Sequence, residues 1–495
     1  MVFSSQLFLF TFLPFSLVVY YLLPGSPQRL RNLWLVLTGY VFYGWAEPRF
    51  VALMFGTTSL DWMLSLVIAR DRWRFWQGTG PVQRLPQGAQ DLHGQPLKRS
   101  ATQRWALWCS VGSNLAALGF FKYFNFGVEG WNQVAAALGW DAGVWESSLR
   151  VVLPLGISFY TFQALSYIID VYRGDAEAMA NFVDFSCFVS MFPHLVAGPI
   201  LKFSFLAEQL KARTVSMDKV ARGVAFFLLG LGKKVLLANP CGKLADGSFE
   251  AAARGVVEAW LGAVAYALQI YFDFSGYSDM AIGLGLLFGF TFARNFNAPY
   301  RASSLTEFWK RWHISLSTWL REYLYIPLGG NRYGRWRTCR NLLLTMLLGG
   351  LWHGAAWNFL AWGGLHGGVL ALERFAFSQG RLRVPGWLGW MGTQWVVLVG
   401  WVFFRAPSMG SALEYLRSMG LGCREGLAST ALGLRQPYLM GSFGLALLVA
   451  AFGVQTWDWS QRLNGWKVLV VGSVGIAAVV ALLTQDYNPF IYFIF

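Results

Sequence analysis

Five histidines are the side chains of this 495-residue sequence best suited to moving protons near neutral pH: His93, His194, His313, His353 and His366. His353 stands apart by its surroundings. It lies in LLLTMLLGGLWHGAAWNFLAWGGLHGG, and no Asp, Glu, Lys or Arg occurs between Arg340 and Glu373. An ionisable group at such apolar depth is costly and marks either a functional site or a buried polar network. A buried, neutral imidazole accepts a proton, so His353 is a candidate general base: it takes the proton of a hydroxyl while the oxygen attacks an activated acyl carbonyl. A structural imidazole bonded to a backbone carbonyl is the alternative.

The other four read differently. His313, in SLTEFWKRWHISLSTWLREYLYIPLGGNR, sits one position off an aromatic stripe, where periodicity leaves packing and function equally open. His366 follows His353 by thirteen residues, which at about 100° per residue is far from the same face of a straight helix. It reads as packing, or at most as support for another group. His194, in SMFPHLVAGPI, caps a helix broken by prolines or, in a second reading, is catalytic; His93 is a solvated loop residue. Asp273 and Asp279, in QIYFDFSGYSDMAIG, are expected to satisfy backbone groups where Ser275-Gly276 interrupts a helix, with catalytic carboxylates as the alternative.

Several reaction classes lack their residues. There is no G-x-S-x-G elbow and hence no signal for an α/β-hydrolase serine. No G-x-x-x-x-G-K-[ST] loop and no H-E-x-x-H occurs. Gly283, Gly285 and Gly289 are wrongly spaced for a dinucleotide fingerprint and lie in an apolar run, where glycines serve helix packing. The five cysteines (Cys109, Cys187, Cys241, Cys339 and Cys423) are scattered without paired spacing, so neither a disulfide framework nor a metal site is expected. A thioester carbonyl already carries a good leaving group, which suits a site of imidazoles without a nucleophile or metal.

The elements that must position these histidines are set by composition. Hydrophobic residues make up 55% and charged residues 13%, about half the charged share of a soluble domain, so the apolar surface is buried in lipid. Apolar runs recur over 7–23, 33–45, 50–69, 105–121, 151–171, 221–238, 257–275, 277–292, 341–372, 387–404, 437–453 and 466–484, predicting roughly ten to twelve spans. The start, MVFSSQLFLFTFLPFSLVVYYLLPG, lacks a basic leader and reads as a retained first span. No internal repeat is visible, which counts against a transporter of duplicated halves. Phe308, Trp312, Leu316, Trp319 and Tyr323 form one helical stripe, yet Glu307, Lys310, Arg311, Arg321 and Glu322 make the segment too charged to cross lipid alone. An amphipathic helix at the interface, or a re-entrant one inside the bundle, fits.

The net charge of +15 is concentrated. Arg70–Arg104 holds seven basic and two acidic residues, Lys202–Lys243 eight and two, and Arg294–Arg340 nine and two. Short basic connections stay cytoplasmic and face anionic headgroups. A second reading is that part of this charge receives a phosphate-bearing cytosolic ligand. Nucleic acid is not expected, because no nucleic-acid motif accompanies the charge.

Five blocks together carry a family resemblance: LPLGISFYTFQALSYIIDVYRG, MFPHLVAGPI, YFDFSGYSDMAIGLGLLFGF, NFNAPYRASSLTEFWKRWHISLSTWLREYLYIPLGGNR and GGLWHGAAWNFLAWGGLHG. They resemble the bacterial membrane-bound O-acyltransferase family, above all its membrane subunits of alginate O-acetylation, over nearly the whole chain. The resemblance implies an all-α polytopic membrane protein, a single domain over 1–495. It has about eleven membrane-embedded helices around a thin core with a funnel, and re-entrant or interfacial helices. Within it, 70–104 is a cytoplasmic basic loop and 300–372 the catalytic core segment. The family's W-H-G histidine falls on His353 and its R-W-H-x-S-L-S histidine on His313. His353 is then the general base, and His313 orients the thioester or assists proton transfer. Lys310, Arg311 and Arg321 contact the donor's phosphates. The donor is a cytoplasmic acyl thioester, acetyl-CoA, and no metal is required. Periplasmic acetyltransferase or esterase-like proteins are the implied partners, and the bacterial inner membrane the implied location. A D-alanyl or other acyl transferase acting on teichoic acid, peptidoglycan or cellulose is the alternative, and a non-catalytic transporter a further one. The long 76–104 loop departs from the family, so no partner docking is carried over to it.

Overall fold

The computed structural model describes residues 1–24, 28–70, 99–140, 150–251, 253–377, 385–421 and 436–491, with helices and irregular connections and no strand among them. His93, Cys423 and most of the basic 70–104 loop lie outside the described residues. The chain divides into two compact units. The first contains Leu7–Ser216 with Met1 and Phe288–Thr291, and the second Met217–Leu287 and Phe292–Phe495 with Val2–Gln6.

In the first unit α1 (Leu13–Leu22), α2 (Gln28–Gly44), α3 (Arg49–Arg70), α4 (Ala101–Ala137) and α5 (Ile157–Arg173) are followed by the shorter α6 (Phe182–Ser190), α7 (Phe192–Leu195) and α8 (Phe203–Lys211). A reciprocal capping box between Ser100 and Gln103 starts α4. Polar side chains join α3 to α4 where apolar burial has no driving force in lipid: Asp61 accepts from Ser110 Oγ at 2.5 Å and from Asn114 Nδ2 at 2.9 Å. His194 is fully buried, and its Nε2 bonds the Phe188 carbonyl at 2.8 Å, across the break between α6 and α7.

The second unit begins with α9 (Met217–Gly232), which passes through a π-helical segment, Lys233–Ala238, into α10 (Asn239–Phe249). Then come α11 (Val256–Leu287), α12 (Leu305–Arg311), α13 (Ile314–Leu320), a π-helical turn at Arg321–Tyr325, α14 (Arg335–His353) and α15 (Trp357–Phe377). It ends with α16 (Gly386–Arg405), α17 (Met409–Gly420), α18 (Pro437–Phe452), α19 (Thr456–Trp459) and α20 (Gly465–Thr484). By length and composition, Arg49–Ala69, Gly386–Arg405 and Gly465–Thr484 are the described helices able to cross a membrane. In α20 the bulky Leu469, Ile476 and Val480 point outward while Gly475, Ala478 and Ala481 pack inward. That is the inverse of a water-soluble helix and the arrangement expected of one bathed in lipid.

Two boundaries differ from the sequence reading. The runs 257–275 and 277–292 are one helix, α11, because Ser275-Gly276 does not interrupt it. Gly276 instead lets α9 approach: a Cβ there would lie 2.7 Å from the Gly230 carbonyl oxygen. Asp273 and Asp279 accordingly do not serve a broken helix as their main task. They pair with Lys234 at 2.8 Å and Lys233 at 2.6 Å, and Asp273 also accepts from Ile491 N. Conversely, the single run 341–372 is a helical hairpin. Its turn is the extended Gly354 (φ −158°, ψ 147°), directly after His353. The two arms touch backbone to backbone, since a Cβ on Gly363 would lie 2.4 Å from the Met346 carbonyl oxygen.

Candidate active site

The stripe from Phe308 to Tyr323 is not one helix. It breaks at Trp312-His313, where α12 ends and His313 takes up left-handed backbone angles, φ 43° and ψ 55°. Among the described residues only Ala298 is another non-glycine at positive φ. Such a conformation costs an L-residue about 1–2 kcal/mol and persists only where the surroundings enforce it. They do so here. Residues 295–297 run beside the break and take its free backbone groups, with Ile314 N donating to Asn295 O and Asn297 N to Arg311 O, both at 2.9 Å. The aromatic face survives the break, since Phe308, Trp312, Leu316 and Trp319 all stay buried.

The kink places the His313 ring in the interior, 1% exposed, edge-on to Phe274 at 4.6 Å. Its Nδ1 lies 3.3 Å from Asn295 Oδ1 and 3.4 Å from Ser315 Oγ. Its Nε2 is buried with no hydrogen-bond partner among the described residues.

Two residues on α15, seven apart and therefore on one face, hold α12 in place. Glu373 accepts from Leu305 N at 2.6 Å and from Thr306 N at 2.9 Å, and Ser304 Oγ accepts from Glu307 N at 3.1 Å. Carboxylate and hydroxyl thereby satisfy amides that the first turn of a helix leaves open. His366, fully buried, accepts at Nδ1 from Trp309 Nε1 at 3.2 Å, so its own proton is on Nε2. That nitrogen faces Gly400, where a Cβ would lie 2.6 Å away. At the end of α12, Arg311 pairs with Glu307 at 2.7 Å and donates to the Asn297 carbonyl at 3.1 Å. Burial pushes the Glu307 carboxyl up, but bonds from Ser303 and Arg311 outweigh it and hold it below the usual carboxylate range.

His353 closes α14 and is 8% exposed. Three rings box it edge-on: Trp352 at 4.7 Å, Phe404 at 5.1 Å and Trp362 at 5.2 Å. Trp362 also lies 4.8 Å from the His366 ring. Trp401 contacts Trp362 on one side and Trp312, the neighbour of His313, on the other. The two candidate imidazoles therefore border one aromatic wall.

A cavity of about 760 Å³ opens beside α12 and α13. Its lining joins the apolar Leu320, Leu342, Met346 and Leu370 to the charged Lys310, Arg321, Glu373 and Arg374. These three cations are exposed; Arg321 is paired with Glu322 at 3.2 Å. Arg311, grouped with Lys310 and Arg321 on sequence grounds, does not line the cavity, because Glu307 and Asn297 engage its guanidinium. The volume, lined by apolar side chains and a cationic majority of charges, has room for a long, flexible chain with an anionic end. Among the described residues no group of three or more His, Cys, Asp or Glu is placed to hold a metal ion.

The membrane-bound O-acyltransferase family profile matches residues 176–412, an interval containing His313, His353, His366 and Glu373. The probable alginate O-acetylase AlgI of Pseudomonas putida is 42% identical over the full length of both chains. The chain belongs to the membrane-bound O-acyltransferase family. The probable alginate O-acetylase AlgI of Pseudomonas aeruginosa is 47% identical over 85% of this chain and 75% of that one. The peptidoglycan O-acetyltransferase of Helicobacter pylori is 35% identical over 85% and 80%.

The protein is thus an O-acyltransferase of the membrane. Within this acyltransferase, sequence reasoning singled out His313 and His353 but missed Asn295, Trp309 and Glu373. Glu373 had one available signal, as the first charge after the long uncharged stretch and two helical turns beyond His366. Asn295, in an aperiodic segment, had none.

Proposed function

We propose that the protein moves an acetyl group from a cytoplasmic thioester, acetyl-CoA, across the bacterial inner membrane for O-acetylation of an exopolysaccharide such as alginate. One observation carries this reading: a buried imidazole, His313, whose Nε2 has no hydrogen-bond partner among the described residues, sits at a strained backbone turn on the same short segment that lines a cation-bearing cavity. The similarity to alginate O-acetylases over the full chain supports the acetyl group and the glycan.

The chain's residues divide the work. Lys310, Arg321 and Arg374 attract the donor's phosphates, with Arg311 bracing α12 behind them. The donor supplies an acyl carbonyl already activated by its sulfur. His353, walled by rings that exclude water, accepts the proton of the attacking hydroxyl. His313 orients the thioester or assists that proton's transfer. The hydroxyl belongs to a partner or an intermediate carrier, and periplasmic esterase-like acetyltransferases complete delivery to the polymer. The similarity to the Helicobacter pylori enzyme supports a second reading in which peptidoglycan is the glycan.

The test is glycan-bound acetyl, on alginate and on peptidoglycan separately, in cells lacking the protein. They are complemented at matched membrane levels with wild type, His353→Ala or His313→Ala. Loss with both variants is expected, and the polymer that loses acetyl identifies the glycan finally modified. Wild-type acetylation with both would sink the histidine mechanism and favour a transporter or scaffold.

A further inference from the structure

We infer that Asn295 is a positioning residue that sets the tautomer of His313 and so leaves Nε2 as its proton acceptor. This rests on His313 taking part in proton transfer, as proposed above. The orientation of the Asn295 amide follows from its neighbours. Ser315 N, a donor only, lies 3.1 Å from the atom assigned as Oδ1, so that atom is the oxygen. Ser315 Oγ donates to the same oxygen at 2.9 Å. The His313 Nδ1, 3.3 Å from this acceptor, then carries the proton and shares it between Asn295 Oδ1 and Ser315 Oγ. An imidazole protonated at Nδ1 presents a bare lone pair at Nε2. That nitrogen is the one buried without a partner among the described residues, in a ring 1% exposed.

The geometry is held from both chain directions. Asn295 bonds Ile314 N through its backbone carbonyl while its side chain takes His313 and Ser315, so one residue clasps both sides of the left-handed turn. Meanwhile Asn295 Nδ2 is buried with no partner of its own among the described residues. All of the residue's side-chain bonding therefore passes through its oxygen. A carboxylate would serve the same three donors, whereas an isosteric hydrocarbon would serve none.

This makes a sharp contrast between two variants. The full-length protein is labelled with ¹⁵N-histidine, and the His313 signals are assigned by their loss in His313→Gln. Nitrogen chemical shifts report which ring nitrogen is protonated, and glycan-bound acetyl in cells at matched membrane levels reports turnover. Wild type and Asn295→Asp should both show His313 protonated at Nδ1, and the Asp variant should keep most of the acetylation. Asn295→Leu should lose the Nδ1-only form and lower acetylation ~10- to 100-fold. The inference is overturned if Asn295→Asp is as inactive as the Leu variant. It is overturned equally if the Leu variant loses activity with the tautomer unchanged, or changes tautomer at full activity. Full activity of His313→Ala would instead remove the proton-transfer role of His313 itself, and the inference with it. An inactive His313→Ala beside an active Asn295→Leu would remove only the inference. Should the Leu variant not fold, the Asp variant still decides, because loss of its acetylation or of its Nδ1 proton contradicts the assignment.

Discussion

Trp309 Nε1 donates to His366 Nδ1 at 3.2 Å, and this bond fastens the seven-residue α12 to the middle of α15. A helix of two turns has almost no stability of its own. Its place is set by what grips it: His366 midway, Glu373 at its start, and residues 295–297 at its end. The cavity lining and the strained histidine both depend on that grip.

The first prediction concerns the space around His366. A Cβ at Gly400 meets His366 Nε2 at 2.6 Å, so Gly400→Ala is expected to destabilise the protein by about 1–3 kcal/mol through overpacking. In His366→Ala/Gly400→Ala that clash is gone, and the loss should fall short of the sum of the single changes. Thermal unfolding of the four purified proteins in one detergent measures this. Strict additivity would show that the two residues do not meet.

Removing the carboxylate from the start of α12 should cost more than neutralising it. Glu373→Ala leaves the Leu305 and Thr306 amides without their acceptor and is expected to lower stability by about 1–2 kcal/mol. Glu373→Gln keeps an oxygen and should lose roughly half of that. Equal melting temperatures for wild type and Glu373→Ala would contradict the capping role.

At His313 the usual order of alanine and glycine should reverse. Both replacements empty the same buried site, but only glycine adopts φ 43° without steric cost. His313→Gly is therefore expected to be more stable than His313→Ala by about 1 kcal/mol, although both lack the imidazole and should be inactive. A more stable alanine variant would mean that the turn relaxes once the ring is gone.

Lys310, Arg321 and Arg374 are exposed cations on the cavity lining, and under the proposed function they attract the donor through charge. For the wild-type protein in membrane vesicles, the KM for acetyl-CoA is expected to rise with ionic strength as screening shortens their reach to about 8–10 Å. The triple alanine variant should start from a higher KM and respond little to salt. An unchanged KM in that variant would place the donor's phosphates elsewhere.

Much of this was legible in the residues alone. The composition requires a lipid environment, because 55% hydrophobic residues with so little charge have no aqueous arrangement. His353 is marked by the uncharged stretch around it. The stripe of Phe308, Trp312, Leu316 and Trp319 foretold a buried face that persists even though the helix carrying it is broken. These are local properties: hydropathy and side-chain period are written into neighbouring positions and survive small changes of backbone path.

Only the tertiary structure decided where the chain bends and which distant groups meet. Ser275-Gly276 reads as a break and is not one, because Gly276 serves the close approach of α9, while Trp312-His313 reads as continuous helix and turns sharply. The turn exists because a segment eighteen residues upstream supplies hydrogen bonds for its freed backbone groups, and α12 starts where it does because Glu373 comes back to cap it. Hydrogen-bond partners of this kind carry no periodic signature. Their free energy appears only when remote parts of the chain come within about 3 Å, so packing, and not local preference, selects the tautomer and orientation of the imidazole.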